Sequence, residues 1–281
     1  MDTSTLNKFA QVTRTNLQEQ VSEKIKFVLA LESQARIEFP KSVKDLEFTI
    51  RREGKPQVVE RIAYMWFNYF CTLRFMDMNG YSKIKVVSPH KGQTQPEILA
   101  KAKQGIIPPS IPLKTKEKIL DLLNESLPSN DQDNEIYRML LVPYCIDLFQ
   151  SMPFVFQQID DYAELLLPDD LLSQKSVLAD TQNVMTAKIC ENVEVIGWLY
   201  QFYISEQKQQ VQHSKERYVP QKIPAATQLF TPNWIVRYLV ENSLGRLWML
   251  NNPQSKLIDK MKYYLKPGEP ESAFIKISSP E

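Results

Sequence analysis

Residues able to act as nucleophiles or soft metal ligands are few in this chain. His90 and His213 are its only histidines, and Cys71, Cys145 and Cys190 its only cysteines. The two histidines stand far apart among basic or polar neighbours, and no Ser/His/Asp or Cys/His arrangement is suggested by them. A structural zinc needs about four Cys or His ligands at short spacings, which this set does not supply. The cysteines form no Cys-x-x-Cys pair and lie inside apolar runs, so they read as reduced core residues in a reducing compartment. Neither GxGxxG nor GxxxxGK[ST] occurs, which excludes a glycine loop for nucleotide phosphates within these residues.

Oxygen ligands and proline loops give the next candidates. Asp160, Asp161, Glu164, Asp169 and Asp170 cluster in DDYAELLLPDD, yet they match no cation loop and lack the glycine such a loop turns on. Asp161 with Glu164 fits a capping box better, and Asp169 and Asp170 are placed to cap the next helix. A polar residue, two prolines and an aromatic form the loop that holds the amine of a flipped base. Ile107-Pro108-Pro109-Ser110 lacks the polar first residue and the aromatic last one. Asn252-Pro253-Gln254-Ser255 has a single proline, so these read as a connector and a turn, and no catalytic residue is assigned.

The elements around these residues are mostly helical. Glycine is scarce, at 7 residues, and proline plentiful, at 18, which favours helices joined by rigid connectors over tight hairpins. From Thr5 to about Leu31, residues such as Leu6, Phe9, Leu17, Val21, Ile25 and Val28 recur at helical spacing. Residues 32–56 read as a broken region punctuated by Pro40, Gly54 and Pro56. The run 58–79 is apolar around most of its circumference, with Ile62, Trp66, Phe70 and Leu73 on one face. It reads as a central core helix that Gly80 ends. Tyr81–Pro89 is the best candidate strand. Helices are expected over Thr115–Leu127, across Pro143 with a kink or a division there, and over Val193–Val211. The fold class is therefore mainly α: a helical domain over 1–212 with at most a short strand or hairpin, then a linker and further helices over 213–281.

Charge narrows the partners. The 34 basic and 33 acidic side chains leave a net charge of +1, too little for a protein that coats nucleic acid along its whole surface. DNA contact, if made, is local, and the basic loop carrying Lys215, Arg217 and Lys222 is the candidate for it. No stretch approaches the ~18 apolar residues of a membrane span. The polar N-terminus lacks the apolar run of a signal peptide. No membrane partner and a cytoplasmic location are the expectations.

The segment ATQLFTPNWIVRYLVENSLG, Ala226–Gly245, has the richest pattern. Thr231 reads as an N-cap with Pro232 at the first helical position, Phe230 and Ile235 as a hydrophobic staple, and Gly245 as the C-terminal stop. Leu-Phe-Thr-Pro before an apolar helix resembles the segment preceding the cofactor loop of DNA N6-adenine methyltransferases. YMWFNYFCTLRFMDMNGY, DDYAELLLPDDLL, EVIGWLYQFYISEQK, IPAATQLFTPNWIVRYLVENSLGRLW and DKMKYYL, in that order, resemble the N-terminal region of the PglX family, the adenine-specific DNA methyltransferases of BREX phage defence.

The resemblance implies a use of S-adenosylmethionine, with Phe230, Thr231 and Pro232 lining one side of its pocket. It also implies DNA as partner, with other BREX subunits as further partners. The family's Asp-Pro-x-x-Gly-Ser-Gly and Asn-Pro-Pro-Tyr type loops do not occur here. The resemblance thus implies an N-terminal fragment of a site-specific methyltransferase, leading into a Rossmann-like α/β domain that is not present and not catalytically competent alone. The contrasting expectation is a non-catalytic interaction module, built on the aromatic helices, that contacts DNA backbone or defence-system subunits.

Overall fold

The structure, a computed structural model, describes residues 3–205 and 229–266. The chain divides into two compact units, Met1–Ala226 and Thr227–Glu281. The first is built from α1 (Thr3–Leu29), α2 (Gln34–Glu38), α3 (Pro40–Glu53), α4 (Lys55–Met78), α5 (Glu97–Ala102) and α6 (Leu113–Leu123). It continues through α7 (Gln132–Ser151), α8 (Asp161–Leu165), α9 (Val177–Val184), α10 (Ala187–Cys190) and α11 (Val195–Tyr203).

The core follows from two long helices. α1 buries Leu6, Phe9, Ala10, Thr13, Leu17, Val21, Ile25 and Val28, one stripe at helical spacing. α4 buries residues around most of its circumference, including Ile62, Trp66, Tyr69, Phe70 and Leu73, and touches α1, α3, α9, α10 and α11. A helix apolar on all sides is stable only when enclosed, and α4 is. Val195, Leu199 and Tyr203 bring α11 onto the same core at four-residue spacing. Trp198 and Phe202 are half-buried against it, and Trp66 and Phe70 are fully buried. Cys71, Cys145 and Cys190 are buried and free. Burial pushes the Cys190 thiol up to about 11, with the Arg74 charge opposing it.

Several expectations are corrected. Residues 32–56 are not a broken region: they hold α2 and the 14-residue α3, with Pro40 at its start and Val43, Leu46 and Thr49 on its buried side. Pro40 begins the helix because an N-terminal turn has no use for the missing N–H. Gly54 serves as C-cap of α3 and N-cap of α4 at once, at φ 90°. A β-carbon there would stand 2.7 Å from Gln57 Oε1, so only glycine fits the corner without a shift. α7 runs unbroken past Pro143, anchored by buried Leu140, Leu141, Val142, Cys145 and Leu148. Gly80, at φ 70°, does follow the end of α4, where Tyr81 N donates back to Met76 O at 2.9 Å. The helix expected over Val193–Val211 begins at Val195, and residues 206–211 lie outside the described residues.

Tyr81–Pro89 is not a strand. Among the described residues the only β-type pairing is one isolated antiparallel bridge, Pro89 to Pro96. Side chains supply what a sheet would have supplied. Asp77 accepts from Val86 N (3.1 Å), Val87 N (3.0 Å) and Ser88 N (2.9 Å). Tyr137 Oη donates to Val86 O at 3.1 Å, and Gln182 Nε2 to Val87 O at 2.6 Å. Glu97 and Ile98 close the rest: Lys85 N donates to Glu97 Oε2, Ile98 N to Lys85 O, and Glu97 N to Ser88 O. Buried backbone groups must be paired, and here every listener but a neighbouring strand has been recruited. Arg74 completes the buried network, donating to Ser88 Oγ (2.7 Å), Met185 O (2.9 Å) and Gln182 O (3.2 Å).

Among the described residues, the second unit holds α12 (Asn233–Asn242), α13 (Leu244–Asn251) and a 3-10 turn, Lys256–Lys260. No helix of the described residues is long and apolar enough to cross a membrane.

Candidate cofactor turn and its clamp

The turn Phe230-Thr231-Pro232 enters α12 directly. The helix is capped by Pro232 (φ −54°, ψ 142°) and not by Thr231, and no cap side chain bonds to the first turn. Pro232 O accepts instead from Ile235 N (3.0 Å) and Val236 N (3.2 Å). The ordinary threonine cap is thus displaced by one residue, because proline fixes its own φ before the helix and leaves Asn233 as the first helical residue. Thr231 and Pro232 are exposed and Phe230 is half-buried. Gly245 is no helix stop: α12 ends at Asn242 and Gly245 sits inside α13. It lies where a β-carbon would come within 3.0 Å of Met261 Cε, which allows Met261 to pack against the helix backbone.

At the far end of α12, two side chains hold the segment after the 3-10 turn. Glu241, at 7% exposure, accepts through Oε2 from Tyr263 N and through Oε1 from Arg237 Nε at 3.0 Å. Asn242 donates to Tyr263 O (2.7 Å) and accepts from Leu265 N (2.7 Å). Arg237 also donates to Lys260 O at 3.0 Å, and its guanidinium lies 5.8 Å from the Tyr263 ring centroid. Glu241 and Asn242 therefore pair with the backbone of Tyr263 and Leu265 as a neighbouring strand would. Neither role is read from the sequence, where the available signal is two adjacent polar residues closing a helix rich in apolar ones.

The remaining candidates are accounted for in pieces. Lys215, Arg217, Lys222 and His213 lie outside the described residues. His90 is exposed. In the acidic cluster, Asp160 and not Asp161 occupies the cap of α8, and it makes no side-chain cap bond, so the capping box does not form. Asp160 faces Arg61 at 3.7 Å, Asp169 pairs with Arg138 at 2.8 Å and with Lys24, and Asp170 accepts from Ser173 N at 2.9 Å. α9 is capped by Ser176, whose Oγ accepts from Ala179 N at 3.2 Å. Among the described residues no three His, Cys, Asp or Glu side chains are gathered to hold a metal.

The turn presents an aromatic ring, a hydroxyl and a proline, with no charged or amide side chain of its own. The charged ends of S-adenosylmethionine need polar partners, which these three residues do not supply. No chemical step can be derived from these residues alone.

Sequence comparison defines the class: the chain is homologous to adenine-specific methyltransferases. The adenine-specific methyltransferase BrxX of Escherichia coli O9:H4 (strain HS) is 42% identical over 224 residues, covering 78% of this chain and 18% of the relative. The adenine-specific methyltransferase PglX of Lacticaseibacillus casei (strain Zhang) is 35% identical over 210 residues, 68% of this chain and 16% of the relative. The chain thus spans less than a fifth of the length of these relatives. No protein-family profile matches it.

Proposed function

We propose that this chain is a segment of an S-adenosylmethionine-dependent DNA adenine-N6 methyltransferase acting in BREX phage defence. The observation that carries this reading is the 42% identity to an adenine-specific methyltransferase over most of the chain. In this reading Phe230, Thr231 and Pro232 form one wall of the cofactor pocket. The clamp of Glu241 and Asn242 fixes that wall relative to the backbone of Tyr263 and Leu265. S-adenosylmethionine supplies the methyl group. The groups that hold the adenine and the rest of the cofactor lie outside these 281 residues, since neither family loop occurs among them. Lys215, Arg217 and Lys222 contact DNA phosphates, and other BREX subunits are further partners.

The rival reading, an interaction module presenting the aromatics of α4 and of α11, loses support on α4, where Trp66 and Phe70 are at 0% exposure, while Trp198 and Phe202 of α11 are half-buried. Two measurements test the proposal. The chain alone, mixed with S-adenosylmethionine and DNA, transfers no methyl group, and transfer would overturn the division of labour. In a longer protein carrying this chain in place of the matched part of the Escherichia coli relative, Thr231→Ala weakens S-adenosylmethionine binding. Unchanged affinity returns the turn to a structural role.

A further inference from the structure

α3 sorts its residues onto two sides. Ser42, Val43, Leu46 and Thr49 are buried in the first unit, and Ile50 and Glu53 are half-buried beside them. Lys41, Lys44, Asp45, Phe48, Arg51 and Arg52 are all exposed. At 3.6 residues per turn these six fall within an arc of about 120°. Four cations less one carboxylate give the arc a formal charge of +3, where the whole chain carries +1. The carboxylates on its two flanks are already engaged. Glu47 pairs with Arg36 at 2.5 Å, and Glu53 with Arg52 and, at 3.4 Å, with Arg61. Lys41, Lys44 and Arg51 make no ion pair among the described residues. Other surface cations of this unit do close onto carboxylates, as Lys103 does on Asp133 and Lys118 on Glu135. The Arg52 guanidinium lies 5.6 Å from the centroid of the Phe48 ring, so this exposed ring serves as its platform.

We infer that the outward arc of α3 is a contact surface for the phosphate backbone of duplex DNA, with Lys41, Lys44 and Arg51 as its cations and Phe48 setting Arg52 beside them. The choice of DNA among polyanions rests on the function proposed above, whereas the arc itself does not. The surface belongs to the first unit and is distinct in sequence from the loop of Lys215, Arg217 and Lys222. From Lys41 to Arg52 the arc runs about 16 Å at 1.5 Å per residue, the length of about five base steps along a strand. Its composition favours phosphates over a protein partner. The cores of protein interfaces are depleted in lysine, and the one apolar ring of the arc is occupied by Arg52. A membrane surface needs an apolar helix face to insert, and the apolar face of α3 is buried in the core. Contacts from lysine and arginine to phosphates carry no base information, so the surface adds affinity and orientation without sequence preference.

The test is fluorescence anisotropy of a short labelled duplex of arbitrary sequence, titrated with the 281-residue chain over a range of salt concentrations. One variant combines Lys41→Gln, Lys44→Gln and Arg51→Gln. A control combines Lys83→Gln, Lys91→Gln and Lys114→Gln, which removes the same charge from exposed lysines elsewhere on the unit. Each neutralised phosphate contributes about 0.9 to the slope of log affinity against log salt, so the α3 variant is expected to lower that slope by about 3. Its affinity at low salt is expected to fall by at least about ten-fold, and the control to keep both slope and affinity. Arg51→Gln alone lowers the slope by about 1, and Phe48→Ala weakens binding about three-fold. Circular dichroism melting checks the fold and is expected to be unchanged, because the side chains are exposed and glutamine suits a helix.

No salt-dependent binding by the unmodified chain, or an unchanged slope in the α3 variant, overturns the inference. So does an equal loss in the control, which would reduce the effect to net charge. A slope that falls only with Lys215→Gln, Arg217→Gln and Lys222→Gln assigns the DNA to that loop and overturns it as well. Tighter binding to a single strand than to the duplex, removed by Phe48→Ala, would make this a base-stacking site and overturns the duplex assignment. The same α3 variant is made in the chimera that carries this chain in place of the matched part of the Escherichia coli relative. A chimera that transfers no methyl group yet keeps the slope difference retains the surface and defeats the proposed function. An active chimera whose slope ignores the α3 substitutions defeats only the surface.

Discussion

The two units each carry a helix rich in apolar side chains and reach opposite outcomes. α4 is apolar around most of its circumference, whereas α12 lines up Asn233, Arg237 and Glu241 as one polar stripe and is apolar over the rest. α4 is enclosed by α1, α3, α9, α10 and α11, and its Trp66, Tyr69, Phe70 and Leu73 are fully buried. α12 has α13 beside it and buries one residue, the charged Glu241. The difference lies in how much chain each unit commands. Burial rises with the size of a domain, and the two helices and the turn described in the second unit do not cover their own apolar surface. The first unit is a finished core, whereas the second is held in shape by hydrogen bonds at one end of a helix.

The sharpest way to break this contrast is to truncate a tryptophan in each unit. Trp66→Ala removes a fully buried ring packed beside Tyr69 and Phe70, with centroids 5.9 and 6.1 Å away. It is expected to cost about 3–5 kcal/mol, as large-to-small changes in closed cores do. Trp248→Ala, at half-exposure, is expected to cost under about 1 kcal/mol in the 281-residue chain. Chemical denaturation followed by circular dichroism measures both. Equal losses would erase the distinction between the units.

Next comes the buried network that replaces a sheet. Asp77→Ala orphans the N–H groups of Val86, Val87 and Ser88 together. An unsatisfied buried donor costs about 1–3 kcal/mol, and a total near 3 kcal/mol is expected because the freed segment partly rehydrates. Hydrogen exchange at these amides reports it: they lose protection while Leu17 and Val21 of α1 retain theirs. Uniform loss would mean that the segment is integral to the core and not a strap upon it.

Periodic elements were legible in the sequence and hydrogen-bond bookkeeping was not. The stripe of α1 and the enclosure of α4 follow from spacing alone, since burial acts on every third or fourth residue and leaves that mark. Tyr81–Pro89 carried a strand's composition, yet composition cannot say whether a partner strand exists. Asp77, nine to eleven positions upstream of the amides it holds, gives no local sign of its role. α3 was hidden by Pro40, read as a breaker although it starts the helix. Thr231 showed the same ambiguity: a capping residue beside a proline, with the cap moved to Pro232. Of the candidate site, the turn was visible as a motif, while the Glu241–Asn242 clamp depends on Tyr263 and Leu265 returning to α12. That return is tertiary and leaves no periodic trace.

The clamp gives a smaller effect that sharpens the contrast from the other side. Asn242→Ala removes the bonds to Tyr263 O and Leu265 N, and at the surface of an open unit such bonds are worth about 1 kcal/mol together. The Leu265 amide should exchange faster, and the far-ultraviolet spectrum should stay the same. Because the first unit does not depend on this clamp, its melting temperature is expected to be unchanged. A drop there would show the two units to be energetically coupled.

The smallest effect tests how the finished unit uses charge. Asp169 accepts from Lys24 and, at 2.8 Å, from Arg138. Burial pushes its carboxyl pKa up, but the hydrogen bond and charge of Lys24 and those of Arg138 outweigh this, and the net direction is down. A carboxylate held below its unfolded value binds fewer protons in the folded state than in the unfolded one. Stability from Asp169 is therefore present above the unfolded pKa and lost as pH falls through the folded pKa, a window that lies in the acid range below about 4. The Asp169 side chain is 72% exposed, so solvent screens the pair and its contribution is expected to be under about 1 kcal/mol. Asp169→Asn should flatten the acid limb of the stability–pH curve slightly and leave neutral stability nearly intact, and added salt should shrink the difference further. A loss at pH 7 several times larger would mean that Lys24 and Arg138, deprived of their shared partner, strain α1 and α7 where they meet Asp169. The first unit would then owe its closure to this surface charge as well as to its apolar core.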